Sequence, residues 1–332
     1  MPPAQLNELL SEFIFTVRTK HGHDYDLKSL PRKRLRVLSN GSLRNLANVH
    51  AMQWNPDITK GHVITNATCE SILELDRALL EPPKDESGME VKVPLGSGVF
   101  GCCNKVFYRD NPVAVKTFHS ATAEEVKWEA RVMSKFNHAN FPLLIGVCTL
   151  SKPYHLVSSF NHVLDKPHTI SSSLKSNSLN LSLVIWLTLF NQLAQAVSYL
   201  HKQGFIHRDI KADNVLISHL NNEYRAILID FGKCVASTAA GSLVKHFTPA
   251  EHELYKRKHG HIAPEIGCGT SPPSHASDVF SFGRVVCAVG TYLQCNFLCA
   301  LGTKCILSDP ELRPQLSHII NELEVQLKLH SK

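Results

Sequence analysis

The sequence lacks the cysteine and signal patterns that would place it among zinc-binding or secreted proteins. Its 10 cysteines include no C-x-x-C pair, and Cys102 and Cys103 are adjacent, so neither a zinc site nor a disulfide framework is indicated. Polar residues interrupt positions 1–20, which therefore contain no apolar signal core. These absences favour reduced thiols and a cytoplasmic location.

The sequence also has no strong excess of one charge. The formal net charge is +6 over 332 residues, and charged residues make up 19% of the chain. This mildly basic balance suits phosphate-bearing ligands without requiring nucleic acid, which we do not expect as a partner. Hydrophobic residues amount to 43%, enough to bury a sizeable core.

Long uninterrupted apolar runs are missing as well. Residues 181–200 include Asn191, Gln192 and Gln195. Residues 285–301 include Gln294 and are shorter than the roughly 20 residues that a membrane span requires. We interpret both stretches as buried helices and expect no membrane partner. The sequence does not indicate the oligomeric state.

Residues 1–88 form a region of their own. Apolar residues recur there at helical spacing, as in Ile72, Leu75 and Leu79, and predict several short helices before a polar, proline-rich linker at 81–88. Basic residues at 32–36 leave nuclear import open beside the cytoplasmic location, although a solvated charged face also explains them. The role of this region is not indicated.

Polar residues cluster between positions 206 and 232, around two short apolar strands. Asn221 and Asn222 are a turn signal between these strands, so a hairpin is predicted. The hairpin brings Asp209 and Asn214 close to Asp230. Oxygen ligands of this kind suit a hard cation such as magnesium, or a group that orients a hydroxyl, and both are needed for phosphoryl transfer.

This stretch resembles the catalytic core of eukaryotic protein kinases. The pattern H-R-D-x-x-x-x-N is met by residues 207–214, and D-F-G by residues 230–232. The resemblance implies an α+β, bilobal protein kinase fold at 89–330 after the small helical region. The N-lobe, about 89–160, would be an antiparallel sheet with one helix, and the C-lobe, about 161–330, would be mainly helical.

A glycine-rich motif, G-x-G-x-x-G, occupies residues 96–101. Alone it also fits a dinucleotide-binding loop, which must open a helix. Strand-like residues follow it instead, so the glycines are predicted to cap a hairpin. Val113-Ala114-Val115-Lys116 then matches V-A-I-K, and Glu129 lies on the next predicted helix, at the position of the family's lysine partner.

The resemblance assigns a role to each candidate residue. The catalytic group comprises Asp209 as base or orienter of the acceptor hydroxyl, Lys211 and Lys116 as phosphate-facing cations, and Glu129 as the partner of Lys116. Asn214 and Asp230 would hold Mg²⁺. Residues expected to line the ATP site are Leu95, Gly96, Ser97, Gly98, Val99, Gly101, Cys103, Ala114, Lys116 and Leu216.

Lys211 decides the expected substrate class. In the family, a lysine two residues after the catalytic aspartate accompanies transfer to serine and threonine, so protein substrates of that kind are expected. Within the family the chain resembles the tyrosine-kinase-like branch. A basic, histidine-containing segment at 256–261 replaces the usual substrate-supporting loop. It leaves open a pseudokinase or scaffold without transfer; a tyrosine or dual-specificity kinase is a further alternative, which Lys211 disfavours.

Overall fold

The structure is a computed structural model, and it describes residues 72–98, 101–163, 166–176, 179–243, 248 and 259–330. The helices predicted before residue 72 lie outside these residues, as does the basic cluster at 32–36. The strands are β1 Leu80–Glu81, β2 Val93–Gly98, β3 Gly101–Tyr108, β4 Asn111–Phe118, β5 Leu144–Cys148, β6 Tyr154–Ser159, β7 His168–Thr169, β8 Phe205–Ile206, β9 Val215–Leu220, β10 Glu223–Leu228 and β11 Val235–Ala236. The helices are α1 Ala123–Ser134, α2 Ile170–Ser176, α3 Leu183–Lys202, α4 Pro264–Gly267, α5 His275–Leu293, α6 Asn296–Cys305 and α7 Leu316–His330.

The N-lobe is an antiparallel sheet in the order β1-β3-β4-β6-β5, with β2 paired to β3. Alternation along β4 buries Val113 and Val115 in a core beneath one face of the sheet. Ala114 and Lys116 point to the opposite face and are only partly buried. The predicted antiparallel lobe with one helix is thereby confirmed, because α1 is the helix that packs on β5 and β6.

The glycine-rich motif caps the β2–β3 hairpin, as the sequence predicts. Gly98 pairs with Gly101 at its tip. Gly101 has φ +153°, and a Cβ atom there would lie 1.8 Å from the carbonyl oxygen of Thr117 on the neighbouring β4 strand. A glycine is therefore required at position 101, since any side chain would collide with backbone.

Residues 72–81, here called the N-terminal strap, contradict the helix predicted over Ile72, Leu75 and Leu79. The strap is extended except for a 3-10 turn at Arg77–Leu79. Glu74 forms a parallel bridge with Val147, and Leu75 is buried in the core of the sheet. The helical spacing misleads because the strap is held by backbone pairing, with β5 at Glu74 and with β3 through β1, and only Leu75 of the three apolar residues is buried. The boundary predicted at residue 88 stays a prediction.

The C-lobe is built around α3. Nine of its side chains are buried, and it packs against α7, α5 and β10. Among the described residues, only this helix has the length and mean hydropathy, 1.3, that a membrane span requires. Half of that stretch is buried inside the protein, in agreement with the buried helix that the sequence predicts.

The second apolar stretch divides into two packed helices, α5 and α6. They are separated at Gln294, whose φ of +53° ends α5 in the left-handed conformation. A Cβ atom at Gly290 would come within 2.8 Å of the backbone nitrogen of Cys299, so this glycine allows the two helices to pack closely. The mainly helical C-lobe is thus confirmed.

Candidate active site

Lys116 lies at the centre of an ion-pair network between the two lobes. Its Nζ is 2.9 Å from both carboxylate oxygens of Glu129 and 2.8 Å from Oδ1 of Asp230. Glu129 projects from α1, which begins with a capping box formed by Thr122 and Glu125. The sequence interpretation requires Lys116 and Asp230 to share one cleft, and the structure places them in direct contact.

The charges in this network shift the pKa values of its members. Burial favours a lower pKa for Lys116, but the neighbouring carboxylates of Glu129 and Asp230 outweigh it and raise the pKa. Burial raises the pKa of Glu129, and the charge of Lys116 offsets this only in part. For Asp230 the charge of Lys116 outweighs burial, so its pKa is lowered. Lys116 is therefore a cation at neutral pH, and the network holds it against the cleft.

Phe231 fixes the position of Asp230 by packing. Its ring is buried, with centroids 5.6 Å from Phe136, 5.3 Å from Phe141 and 5.3 Å from His207. His207 is fully buried, and burial lowers its pKa. Both residues pack in the core of the cleft and support the loops that carry Asp209 and Asp230.

Asp278 holds the backbone of the loop that carries Asp209. Its carboxylate accepts hydrogen bonds from the backbone N–H groups of His207 and Arg208, at 2.8 and 2.9 Å, and from Nε2 of His201 at 2.9 Å. Arg208 has φ +68°, a strained conformation for a residue with a side chain. These three bonds to one buried carboxylate stabilise that strained turn.

The β9–β10 hairpin places Asn214 beside Asp209. Asn221 and Asn222, both with positive φ, form its turn as predicted. The side-chain amide of Asn214 donates to the carbonyl oxygen and to Oδ2 of Asp209, both at 2.9 Å. The carbonyl oxygen of Asn214 accepts from the backbone N–H of Ile229, next to Asp230, at 2.9 Å. The structure thus brings all three polar residues together.

Asp209 is buried and surrounded by donors. Nζ of Lys211 is 3.0 Å from Oδ2, while Nζ of Lys233 and Nε2 of His261 are 2.8 Å and 3.3 Å from Oδ1. Burial favours a higher pKa for Asp209, but hydrogen bonds from His261, Lys233 and Lys211 together lower it well below its usual value. Asp209 is therefore ionised throughout the physiological range.

The predicted nucleotide-lining residues occupy both lobes. On the N-lobe, Cys103 pairs directly with Lys116, so the two side chains share one face of the sheet, and Ala114 lies on that face as well. Burial raises the pKa of Cys103 to about 12, so its thiol stays neutral rather than reactive. Leu216 belongs to the C-lobe, on β9.

The remaining lining residues belong to the β2–β3 hairpin. Leu95 sits at an irregularity in the pairing of β2 with β3, and Gly96, Ser97 and Gly98 are exposed. A Cβ atom at Gly96 or Gly98 would meet nothing within 4 Å, so their backbone is open to an approaching ligand. Gly101 begins β3, and Val99 lies outside the described residues.

The oxygen atoms available near Asn214 and Asp230 fit a magnesium ion. Asp230 uses Oδ1 for Lys116, and Asn214 uses its amide nitrogen for Asp209. The second carboxylate oxygen of Asp230 and the side-chain oxygen of Asn214 are of the kind that magnesium binds. No cluster of three His, Cys, Asp or Glu side chains suited to a metal occurs in the described ranges. Magnesium commonly takes one or two protein ligands and completes its shell with substrate phosphates and water.

Sequence reasoning did not assign a role to Lys233 or His261, although both touch Asp209. Lys233 immediately follows the D-F-G motif, and this position next to the motif is the only feature of the sequence that could have suggested a role in the site. His261 precedes Ala263 by two residues, within the segment that departs from the family pattern. Nothing local in the sequence links either residue to a carboxylate 24 or 52 positions away.

Comparison with known proteins identifies the family. A family model described as protein tyrosine and serine/threonine kinase matches residues 89–298, which is more than half of the chain. The chain therefore belongs to the protein kinase family.

Relatives include both kinds of kinase. A Dictyostelium discoideum protein named as a serine/threonine-protein kinase is 25% identical over 75% of this chain and 28% of its own length. A proline-rich receptor-like protein kinase of Arabidopsis thaliana is 30% identical over 58% of this chain and 26% of its length. The tyrosine-protein kinase Abl of Drosophila melanogaster is 29% identical over 64% of this chain and 13% of its length. The chain thus spans less than a third of each of these curated relatives.

Proposed function

We propose that the chain transfers the γ-phosphoryl group of ATP to serine and threonine hydroxyls of protein substrates. The proposal rests on the arrangement around Asp209. Lys211 and Asn214 donate to one of its carboxylate oxygens, and the backbone carbonyl of Asn214 accepts from Ile229, which precedes Asp230. Lys211 supports the serine/threonine class, because the resemblance associates a lysine at this position with that class.

The reaction needs positioning more than a strong base. The acceptor oxygen forms a bond to the γ-phosphorus while the bond from that phosphorus to the β–γ bridging oxygen breaks, and ADP leaves. Asp209 orients the acceptor hydroxyl and receives its proton. A carboxylate with a low pKa is adequate, because the transition state is loose and the hydroxyl proton is lost late.

The cations and the metal ligands complete the site. Lys116, held by Glu129, would face the α- and β-phosphates, and Lys211 would face the transferred group, where its charge offsets the negative charge of the phosphate oxygens. Magnesium, held by Asn214 and Asp230, would neutralise phosphate charge.

The Asp209→Asn variant tests the proposal. With ATP, magnesium and a generic basic protein, we expect the wild-type chain to label serine or threonine, and the variant to be slower by about two to four orders of magnitude, the usual contribution of a positioned acid or base. Phosphoamino-acid analysis identifies the acceptor.

The exposed ion-pair variant Lys304→Ala is the matched control and should retain full transfer. Melting curves with and without ATP show whether each protein is folded and binds nucleotide. Equal transfer by wild type and Asp209→Asn would contradict the proposal, as would phosphotyrosine as the only product.

A further inference from the structure

Four hydrogen bonds occupy the carboxylate of Asp209, two on each oxygen. Lys211 and Asn214 donate to Oδ2, and Lys233 and His261 donate to Oδ1. A carboxylate offers about four lone-pair positions for hydrogen bonds. The set is therefore complete, and an acceptor hydroxyl finds no lone pair on Asp209 until one of these partners leaves.

Lys233 is the partner best able to leave. Its side chain is 38% exposed, against 16% for His261, and it is a long, flexible chain. The backbone of Lys233 is fixed by a 3.1 Å hydrogen bond from Nη1 of Arg208 to its carbonyl oxygen, so only the side chain needs to rotate. The backbone of His261 is fixed likewise, by Oγ of Ser281 on α5 at 2.7 Å, but its side chain is more buried and has only two rotatable bonds, against four in lysine.

The surroundings of Oδ1 indicate what would draw Lys233 away. Lys211, Lys233 and His261 all converge on this carboxylate, and the ring of His259 is 6.0 Å from that of His261. A neutral substrate would have to break the contact between Lys233 and Asp209 without providing another anion for the ammonium group. A substrate with an anionic group beside its acceptor hydroxyl supplies that replacement partner.

We propose that Lys233 determines substrate specificity: it covers Oδ1 of Asp209 and is released by a carboxylate or phosphate next to the acceptor residue. The substrate class is then an acidic or already phosphorylated protein segment. This inference rests on the proposed function, because it concerns the acceptor side of the same site. His261 keeps its hydrogen bond to Oδ1, and the acceptor hydroxyl takes the position on Oδ1 that Lys233 vacates.

The test uses three peptides that differ only beside the acceptor serine, with glutamine, glutamate or phosphoserine at that position. For the wild-type chain we expect kcat/KM to be about tenfold higher for each anionic peptide than for the glutamine peptide, the order expected of one charge-assisted hydrogen bond. In Lys233→Met the ratio should fall to about one, because transfer to the glutamine peptide rises and the anionic peptides lose their partner.

Two further variants control for charge and folding. Lys233→Arg keeps the cation and should keep the preference, while Lys304→Ala removes an exposed lysine of another ion pair and should behave as wild type. If wild type prefers only the phosphoserine peptide, the anion that releases Lys233 is a phosphate. If it prefers the glutamate and phosphoserine peptides equally, either a carboxylate or a phosphate serves. An unchanged ratio in Lys233→Met overturns the proposal.

Binding of the same peptides, measured by fluorescence anisotropy, separates this inference from the proposed function. Tighter binding of the anionic peptides by wild type than by Lys233→Met supports the role of Lys233 even if no phosphoryl transfer occurs, in which case only the proposed function fails. Where transfer does occur, an equal transfer ratio in the two proteins overturns the inference and leaves the proposed function standing.

Discussion

Two buried carboxylates of the cleft show how neighbouring residues set the properties of a side chain. Glu129 has Lys116 as its cationic partner, and burial raises its pKa. Asp209 is hydrogen-bonded by Lys211, Lys233 and His261, which lower its pKa despite its burial. Asp209 receives hydrogen bonds from three charged or polar side chains, whereas Glu129 has one cationic partner and also faces the negative charge of Asp230.

His155, on β6, provides a pH test of the N-lobe at the scale of one residue. Its Nδ1 lies 3.1 Å from Oγ1 of Thr117, and burial, helped by the charge of Arg77, lowers its pKa to about 4. As the pH falls below about 6.5, His155 therefore becomes protonated in the unfolded chain while it stays neutral in the folded chain. The stability that this provides is present above that pH and is lost as the pH falls to about 4.

The corresponding prediction compares wild type with His155→Gln. Between pH 7 and pH 4.5 the free energy of unfolding of wild type should fall by on the order of 1–2 kcal/mol more than that of the variant. Urea unfolding at several pH values measures both slopes. Parallel pH dependences would show that His155 titrates alike in the folded and unfolded chains.

At the scale of elements, the N-terminal strap contacts both ends of the N-lobe sheet, bridging to β5 at Glu74 and pairing with β3 through β1. The carboxylate of Glu74 accepts from the backbone N–H groups of Thr149 and Leu150 and from the hydroxyl of Thr149. The guanidinium of Arg77 donates to the carbonyl oxygens of residues 151–153 in the β5–β6 turn. The strap is therefore held by buried apolar contact at Leu75 and by polar contacts on either side of it.

We expect Leu75→Ala to lower the free energy of unfolding by about 2–4 kcal/mol, because a leucine buried in the sheet core leaves a cavity. The matched control is Leu73→Ala, which removes the same atoms from a residue that is 38% exposed and should cost less than about 1 kcal/mol. Chemical denaturation of both variants makes the comparison. Equal losses would mean that the strap does not pack as the structure indicates.

At the scale of the whole molecule, a buried ion pair connects distant parts of the C-lobe. Nη1 and Nη2 of Arg313, which precedes α7, donate to the two oxygens of Glu265 on α4 at 2.7 and 2.8 Å. Arg313 also donates to the carbonyl oxygens of Ala276, Leu307 and Ser308. The segment that carries His261 is thus fixed to the C-terminal part of the domain.

Arg313→Ala should therefore be strongly destabilising, by about 3–5 kcal/mol, because it leaves the carboxylate of Glu265 buried and unpaired. The double variant Glu265→Gln, Arg313→Met should recover part of that loss, since neither side chain is then charged. Lys304→Ala, in an exposed pair with Glu322, should cost less than about 1 kcal/mol. A double variant no more stable than Arg313→Ala would contradict this account.

The sequence alone determined the features that depend on local order along the chain. The turn at Asn221 and Asn222, the glycine hairpin and the amphipathic α3 all follow from residue types within a few positions of one another. The motifs also indicated the family, because their residue types and order are specific. The fold and the proximity of Lys116, Glu129 and Asp230, and of Asp209 and Asn214, were predictable for this reason.

Only the tertiary structure decided how distant segments meet. Residues 72–81 are extended because they pair with β5 at Glu74 and with β3 through β1, which their own helical spacing does not show. Lys233 and His261 reach Oδ1 of Asp209 from the two ends of one long segment. Local preferences act over a few residues, whereas contacts of this kind depend on how the whole chain packs.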